Sequence, residues 1–485
     1  MPAKGKQSEG GVLPGTIRLE LRRGRHGPHK FWQIRRDENA FTVTFGKVGT
    51  AGQSKTKTFR DRYAANDAFD KLIDEKKQKG YRLVVAGAAA APSGPVARNP
   101  ELEQQILANP SDEDGLMVYA DWLQQQGDVR GELAALQGGG GGRTKRLEAA
   151  QAQLVWDQRA QLWGSLAPYL ERQPDERSAV AGTWRQGWLD TLVLSATSSW
   201  RADQGGVPKV KQVSELIRLV PACPSARFLR ELVIARPVGD GSYEFGDAIK
   251  ALAAVMGELP VLARLTLGRF SYEDSELSWT HLGKLDPLWP VAGRQLEYLK
   301  IRAGSMALGT IAAPALRELR IETGGLDQRA LAAIARASWP ALETLSLWFG
   351  QRSYGSDVTP KHVGALLGGK AKLPRLRHLG LANTTFGDEL CELVLGSKLL
   401  PQLQTLDLSK SHLTDAGVKL LAAHRARLAH LAAIDLSECL IADTKLARTL
   451  APRVALADQN DPSEYQPDGD EYDDAGWWRY SRVGE

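Results

Sequence analysis

The run QLQTLDLSKSHLTDAGVKLLAAH at 402–424, followed by HLAAIDLSECLIAD at 430–443, decides how this chain folds. Both stretches carry the pattern L-x-x-L-x-L/I, and it recurs upstream. The triplets are Leu189/Leu192/Leu194, Leu229/Leu232/Ile234, Leu262/Leu265/Leu267, Leu296/Leu299/Ile301, Leu316/Leu319/Ile321, Leu342/Leu345/Leu347, Leu376/Leu379/Leu381, Leu403/Leu406/Leu408 and Leu431/Ile434/Leu436. Their central residues are 40, 33, 34, 20, 26, 34, 27 and 28 positions apart. The short alternating segment predicts a strand. The segments between, such as Asp327–Ala337 and Asp415–His424, have helical spacing. The longer steps hold helical inserts such as Asp247–Met256. One strand and one helix per unit predict an α/β fold: a curved solenoid with a parallel sheet inside and helices outside.

Outward from this core the chain changes character. Residues 458–485 form an acidic tail; from 455 onward there are 9 Asp/Glu and 2 Lys/Arg. Trp477-Trp478-Arg479-Tyr480 is expected to pack back onto the solenoid as a cap. The first 85 residues hold 19 Lys/Arg against 9 Asp/Glu. A basic head, an acidic tail and a near-neutral body direct any polyanion toward the head. Residues 1–15 read as a flexible leader. Residues 16–83 read as a small β-plus-helix domain. It has strand-like runs at Ile17–Leu21, Lys30–Ile34 and Phe41–Phe45, then a helix with Ala65, Phe69, Leu72 and Ile73 on one face, stopped by Gly80. Residues 84–98 are an Ala/Gly/Pro-rich linker. Residues 99–188 read as a helical module with a capping-box-like start at Ser111–Asp114. The five glycines 138–142 lack a following Gly-Lys-Ser/Thr and read as a flexible insertion.

Three resemblances supplement this reading. The repeat of the long C-terminal part, residues 189–457, resembles leucine-rich repeats, whose units run about 20–29 residues. Residues Lys30–Ile34 (KFWQI), Val43–Gln53 (VTFGKVGTAGQ), Lys57–Phe59 (KTF), Ala65, Phe69, Ile73, Lys76 and Lys79–Tyr81 resemble a WGR domain. That module occurs in poly(ADP-ribose) polymerases and in stand-alone bacterial regulators. The signature Trp-Gly-Arg is Phe45-Gly46-Lys47 here. The resemblance implies contact with a DNA end, with Phe45 stacking and Lys47 binding phosphate without the bidentate fork of Arg. Asn99–Leu102, Val118–Leu123 (VYADWL), Gly127–Leu133 (GDVRGEL), Leu162–Leu166 and Trp184–Trp188 resemble a bacterial repeat-companion module that precedes leucine-rich repeats. Its Trp and Leu residues are expected to cap the first open edge of the solenoid.

The sequence offers no enzyme. His-Glu-x-x-His, Gly-x-Ser-x-Gly, Cys-x-x-Cys and Walker A patterns are absent from it. No polymerase catalytic domain follows the WGR-like segment, and no cofactor is implied. Cys223, Cys391 and Cys439 are expected to pack as small buried groups. Three cysteines and no apolar leader or 18-residue apolar run point to the cytoplasm and away from any membrane. The expected function is a bacterial adaptor or regulator. Its basic head docks on DNA through Phe45, Lys47, Lys55, Lys57 and Arg60. Its concave sheet face holds a protein partner through Tyr298, Lys300, Arg302, Arg320 and Trp348, the residue types of binding hot spots. The alternative is a purely protein–protein scaffold with no nucleic-acid binding.

Overall fold

The computed structural model describes residues 16–21, 29–37, 39–48, 50–84, 96–138, 145–198, 207–370, 372–461 and 482–483. It is a mixed α/β structure with a small N-terminal sheet region followed by a larger helix-and-sheet body.

The N-terminal sheet has five strands, β1 (Thr16–Leu21), β2 (Lys30–Asp37), β3 (Ala40–Lys47), β4 (Gln53–Thr58) and β5 (Arg82–Val84), in the order β4-β3-β2-β1-β5. Three strands follow the alternating runs. β4, QSKTKT, has no apolar residue and is exposed along its whole length, so only pairing with β3 makes it a strand. The β3–β4 hairpin closes tightly. A Cβ on Gly52, whose φ is +70°, would lie 2.6 Å from the Phe31 ring. Helix α1 (Arg62–Gln78) starts where the Asp61 carboxylate accepts from the Ala64 amide at 2.8 Å, and Gly80 follows its end at φ +84°. Ala65, Phe69 and Ile73 are buried, and Phe69 and Ile73 share a core with Leu19, Trp32, Ile34 and Phe41.

The body opens with helices α2 (Pro100–Ala108), α3 (Glu113–Gln125), α4 (Val129–Gly138) and α5 (Lys145–Asp157). Asn99 and Asp112 cap the first two through their side-chain oxygens. Strands follow in chain order: β6 (Val180–Arg185), β7 (Trp188–Leu194), β8 (Glu231–Ile234), β9 (Tyr243–Glu244), β10 (Arg264–Leu267), β11 (Thr280–Lys284), β12 (Tyr298–Arg302), β13 (Ser305–Ala307), β14 (Glu318–Glu322), β15 (Thr344–Gly350), β16 (His378–Thr384), β17 (Thr405–Asp407), β18 (Ala433–Asp435) and β19 (Val454–Ala455). Eleven of them form one sheet, β19-β18-β17-β16-β15-β14-β12-β10-β8-β7-β6. All its pairings are parallel except β6–β7.

Each of the nine L-x-x-L-x-L/I triplets supplies one strand of this sheet. Every residue of every triplet is at most 2% exposed: alternation turns the second and third to one face of the sheet, where the connecting segments cover them, and in eight of the nine the first is buried just ahead of its strand. β9, β11 and β13 form a separate small parallel sheet that the triplets do not announce. At the first end of the sheet β7 is covered by a strand, its antiparallel hairpin partner β6, which lies within residues 99–188 and carries Trp184. The helices attach beside it. Ile106, Leu116, Tyr119 and Leu123 share a core with Trp188, Phe228 and Val261. Residues 139–142 of the glycine run and Trp477–Tyr480 lie outside the described residues.

Candidate interaction surfaces

The register of the N-terminal sheet sorts the expected nucleic-acid residues. Lys30 stands opposite Lys47, Trp32 opposite Phe45, Val43 opposite Lys55, and Phe41 opposite Lys57. Cross-strand partners share a face. Lys30, Lys47, Lys55 and Lys57 therefore project from the margin of the face that α1 covers, and all four are exposed. Among the described residues none of the four has a carboxylate partner. Arg60 lies beyond β4 and ion-pairs with Asp61 at 2.9 Å, so it stands apart from the row. Phe45 differs from expectation. It sits opposite Trp32 and packs against the core, half-buried, so its ring is largely committed to the fold rather than presented to bases. Lys76 lies over Trp32 at 5.6 Å and Tyr81 at 5.4 Å. Burial, then repulsion from Lys79, holds its ammonium below the usual lysine range. Lys30 joins the cluster only through its register with Lys47, which no local pattern announces.

The expected partner residues do meet on the outward face of the large sheet. Arg264 pairs with Tyr298, Tyr298 with Glu318, Lys300 with Arg320, and Arg302 with Glu322. They are not free side chains. Glu322 takes both Lys300 at 2.6 Å and Arg302 at 3.2 Å. Arg320 is ion-paired to Glu318, and the Arg264 guanidinium lies 3.9 Å from the centroid of the Tyr298 ring. Burial and the neighbouring Glu318 raise the Tyr298 hydroxyl above the usual tyrosine range. Trp348 is half-buried, with the Lys410 ammonium 5.6 Å from its ring. Such partly exposed pairs are worth about 0–1 kcal/mol each, so a partner can exchange them at little cost.

Between these surfaces, the two distinctive blocks of residues 99–188 are structural. Arg130 is 2% exposed and holds Asp128 through two nitrogens, at 2.9 and 2.7 Å. It also donates to the Ala97 carbonyl at 2.7 Å and lies 4.5 Å from the centroid of Trp188. Gly131 must lack a side chain, because a Cβ would fall 2.3 Å from the Gln124 nitrogen. Tyr119 donates to Glu103 at 3.0 Å, and burial pushes its hydroxyl up to about 12. Burial also pushes the Glu103 carboxyl up. The hydrogen bonds from Arg98 and Tyr119 and the charges of Arg98 and Arg227 outweigh this and hold it below the usual carboxylate range. Cys223, Cys391 and Cys439 are buried. Desolvation raises all three thiols, to about 12 for Cys223 and Cys439, so none is a ready thiolate nucleophile. No helix among the described residues is long and apolar enough to cross a membrane.

Comparison with known proteins bears on parts of this arrangement. Residues 15–87 match the profile of the WGR domain, so the chain carries a WGR domain there. Protein YehF of Escherichia coli (strain K12) is 49% identical over 53 residues, which are 11% of this chain and 19% of that protein. The match thus spans about a fifth of the relative. Among solved structures, the crystal structure of a Bacteroides fragilis protein superposes with a TM-score of 0.50 at 20% identity, covering 92% of this chain and 97% of that one. That likeness concerns the fold alone.

Proposed function

We infer from the WGR domain at residues 15–87 that the chain is a non-enzymatic adaptor or regulator whose head docks on nucleic acid while its body holds a protein. The observation that carries the nucleic-acid half is the row of exposed lysines, Lys30, Lys47, Lys55 and Lys57. Lys300, Arg302, Glu322, Arg320 and Glu318 of the large sheet are ion-paired with one another, whereas none of these four has a carboxylate partner among the described residues and only Lys57 leans on a ring, that of Phe59 at 5.0 Å. Phosphate contact of this kind is sequence-independent and strongly salt-dependent. Phe45, turned into the core, leaves little aromatic surface for bases, so the binding is electrostatic in character. The body is read as a leucine-rich-repeat solenoid over residues 189–457, with the helical module 99–188 at its start. Tyr298, Arg320 and Trp348 would meet the protein partner. Three buried free thiols fit a reducing, cytoplasmic setting.

A gel shift of the full chain with a short nicked duplex tests this. Lys55→Ala/Lys57→Ala should weaken binding uniformly across sequences and reduce the slope of log K against log salt by about 2. Equal binding and equal slope for wild type and variant would overturn the nucleic-acid half. The second reading, a scaffold that binds only proteins, draws its support from the same burial of Phe45, which removes the stacking contact expected of the WGR signature. Absence of any shift at low salt would favour it.

A further inference from the structure

Three residues share an unusual backbone, and one of them, Lys410, borders the sheet face through Trp348. Asn383, Lys410 and Glu438 each lie two positions after the last residue of their leucine triplet, and each has a left-handed backbone, with φ of +52°, +62° and +56°. The corresponding residues of the other six units do not adopt it. Left-handed backbone in a lysine or glutamate is uncommon and is held only where the surroundings fix it. All three residues converge on one dipeptide, Arg482-Val483.

The Asn383 side chain is fully buried and reads the backbone of Val483 in both directions. Its Oδ1 accepts from the Val483 N–H at 2.8 Å and its Nδ2 donates to the Val483 carbonyl at 2.6 Å. A third bond, Nδ2 to the Thr323 carbonyl at 3.3 Å, fixes which end of the amide is which. The Arg482 N–H donates to the Lys410 carbonyl at 3.2 Å. The Arg482 guanidinium donates from Nε to Glu438 at 3.0 Å, and Glu438 is also ion-paired to Lys410, which covers Trp348. The Val483 side chain packs against the core of the body. Backbone donors and acceptors are thus read together with one cation and one apolar side chain, across the end of β16 and the turns that follow β17 and β18.

We propose that this strand end and the two turns beside it form a binding cleft for an extended peptide bearing arginine followed by a compact apolar residue, and that Arg482-Val483 is its resident intramolecular ligand. The tether makes the resident segment a strong competitor, since short linkers give effective concentrations near the millimolar range. A partner displaces it only by presenting the same chemistry with better fit. This deepens the protein-binding half of the proposed function and is independent of the nucleic-acid half.

The test uses the full chain and a fluorescein-labelled peptide of residues 478–485, Trp-Arg-Tyr-Ser-Arg-Val-Gly-Glu. Arg482→Ala/Val483→Pro in the protein removes the salt bridge and the N–H that Asn383 accepts. Fluorescence anisotropy should show this vacated chain binding the peptide at least about tenfold more tightly than wild type. Adding Glu438→Gln, or replacing the peptide's Arg482 by alanine, should lose that gain. Equal binding by wild type and vacated chain, or indifference to the peptide's arginine, overturns the proposal. If the vacated chain does not fold, hydrogen exchange of the intact chain decides. The Val483 amide should exchange at least tenfold more slowly than in the free peptide, and faster again in Glu438→Gln; exchange at the free-peptide rate overturns the cleft. Neither readout involves DNA or the sheet-face residues Tyr298 and Arg320, so failure here and failure of the proposed function remain distinguishable.

Discussion

Trp188→Ala should uncouple the helices of residues 99–138 from the body. Trp188 is 1% exposed, with ring centroids 5.3 Å from Tyr119 and 4.7 Å from Phe228 and the Arg130 guanidinium 4.5 Å from its own. A buried Trp removes up to about 250 Å² from water, worth about 6 kcal/mol at ~25 cal/mol per Å². Residual compactness of the unfolded chain trims this to about 4–5 kcal/mol. Among the described residues the Trp188 indole N–H has no hydrogen-bond partner, so no polar bond seen here is lost with it. The expected loss is therefore about 4 kcal/mol, within the usual range for buried Trp→Ala. Trp122, half-buried with its ring 5.8 Å from Tyr119, is the control and should cost only about 1–2 kcal/mol. Urea unfolding followed by circular dichroism reads the difference. Hydrogen exchange in α3 localises it, which matters because a chain of this length need not unfold in two states. A Trp188→Ala chain within about 0.5 kcal/mol of wild type, with α3 amides still protected, would refute the structural role of this ring cluster and return the aromatics to a surface function.

Two further outcomes follow from the charges. The Glu103 carboxyl is held below its ordinary value in the folded state, so the unfolded chain takes up its proton first as pH falls. Its contribution to stability is complete above the usual carboxylate range and disappears as pH drops through the folded-state value. Glu103→Gln should lower the melting temperature at pH 7 and flatten the acid side of the stability profile; parallel wild-type and variant profiles would refute this. On the sheet face, Tyr298→Ala and Arg320→Ala should each weaken capture of the protein partner by about 1–2 kcal/mol while shifting stability by less than about 1 kcal/mol, because the pairs they break are partly exposed. Retention of wild-type capture by both would move the partner site off this face.

Several features were legible in the sequence because they depend on local periodicity. The second and third residues of each triplet alternate and so share a face wherever they occur, so nine triplets announce nine strands, and all nine are found with their apolar residues buried. The N-terminal alternations and the helix over Ala65–Ile73 are legible for the same reason, whereas the WGR domain is legible through the resemblance of its motif residues. Other features exist only through contacts between distant segments. β4 carries no apolar residue and is a strand solely because β3 offers it hydrogen bonds. The lysine row depends on cross-strand register, which brings Lys30 opposite Lys47 and turns Phe45 toward Trp32. The mutual pairing of Lys300, Arg302 and Glu322 depends on parallel strands separated by whole units of sequence. The clamp of Asn383 on Val483 joins residues 100 positions apart. Periodicity acts within a strand or a helical turn and is written in the order of residues, whereas register, charge pairing and the return of the chain are decided by how completed elements pack. The sequence by itself therefore determined the nine triplet strands of the mixed α/β body and, by resemblance, the WGR head, and only the tertiary structure decided which of its charged and polar side chains stand together and which are already taken.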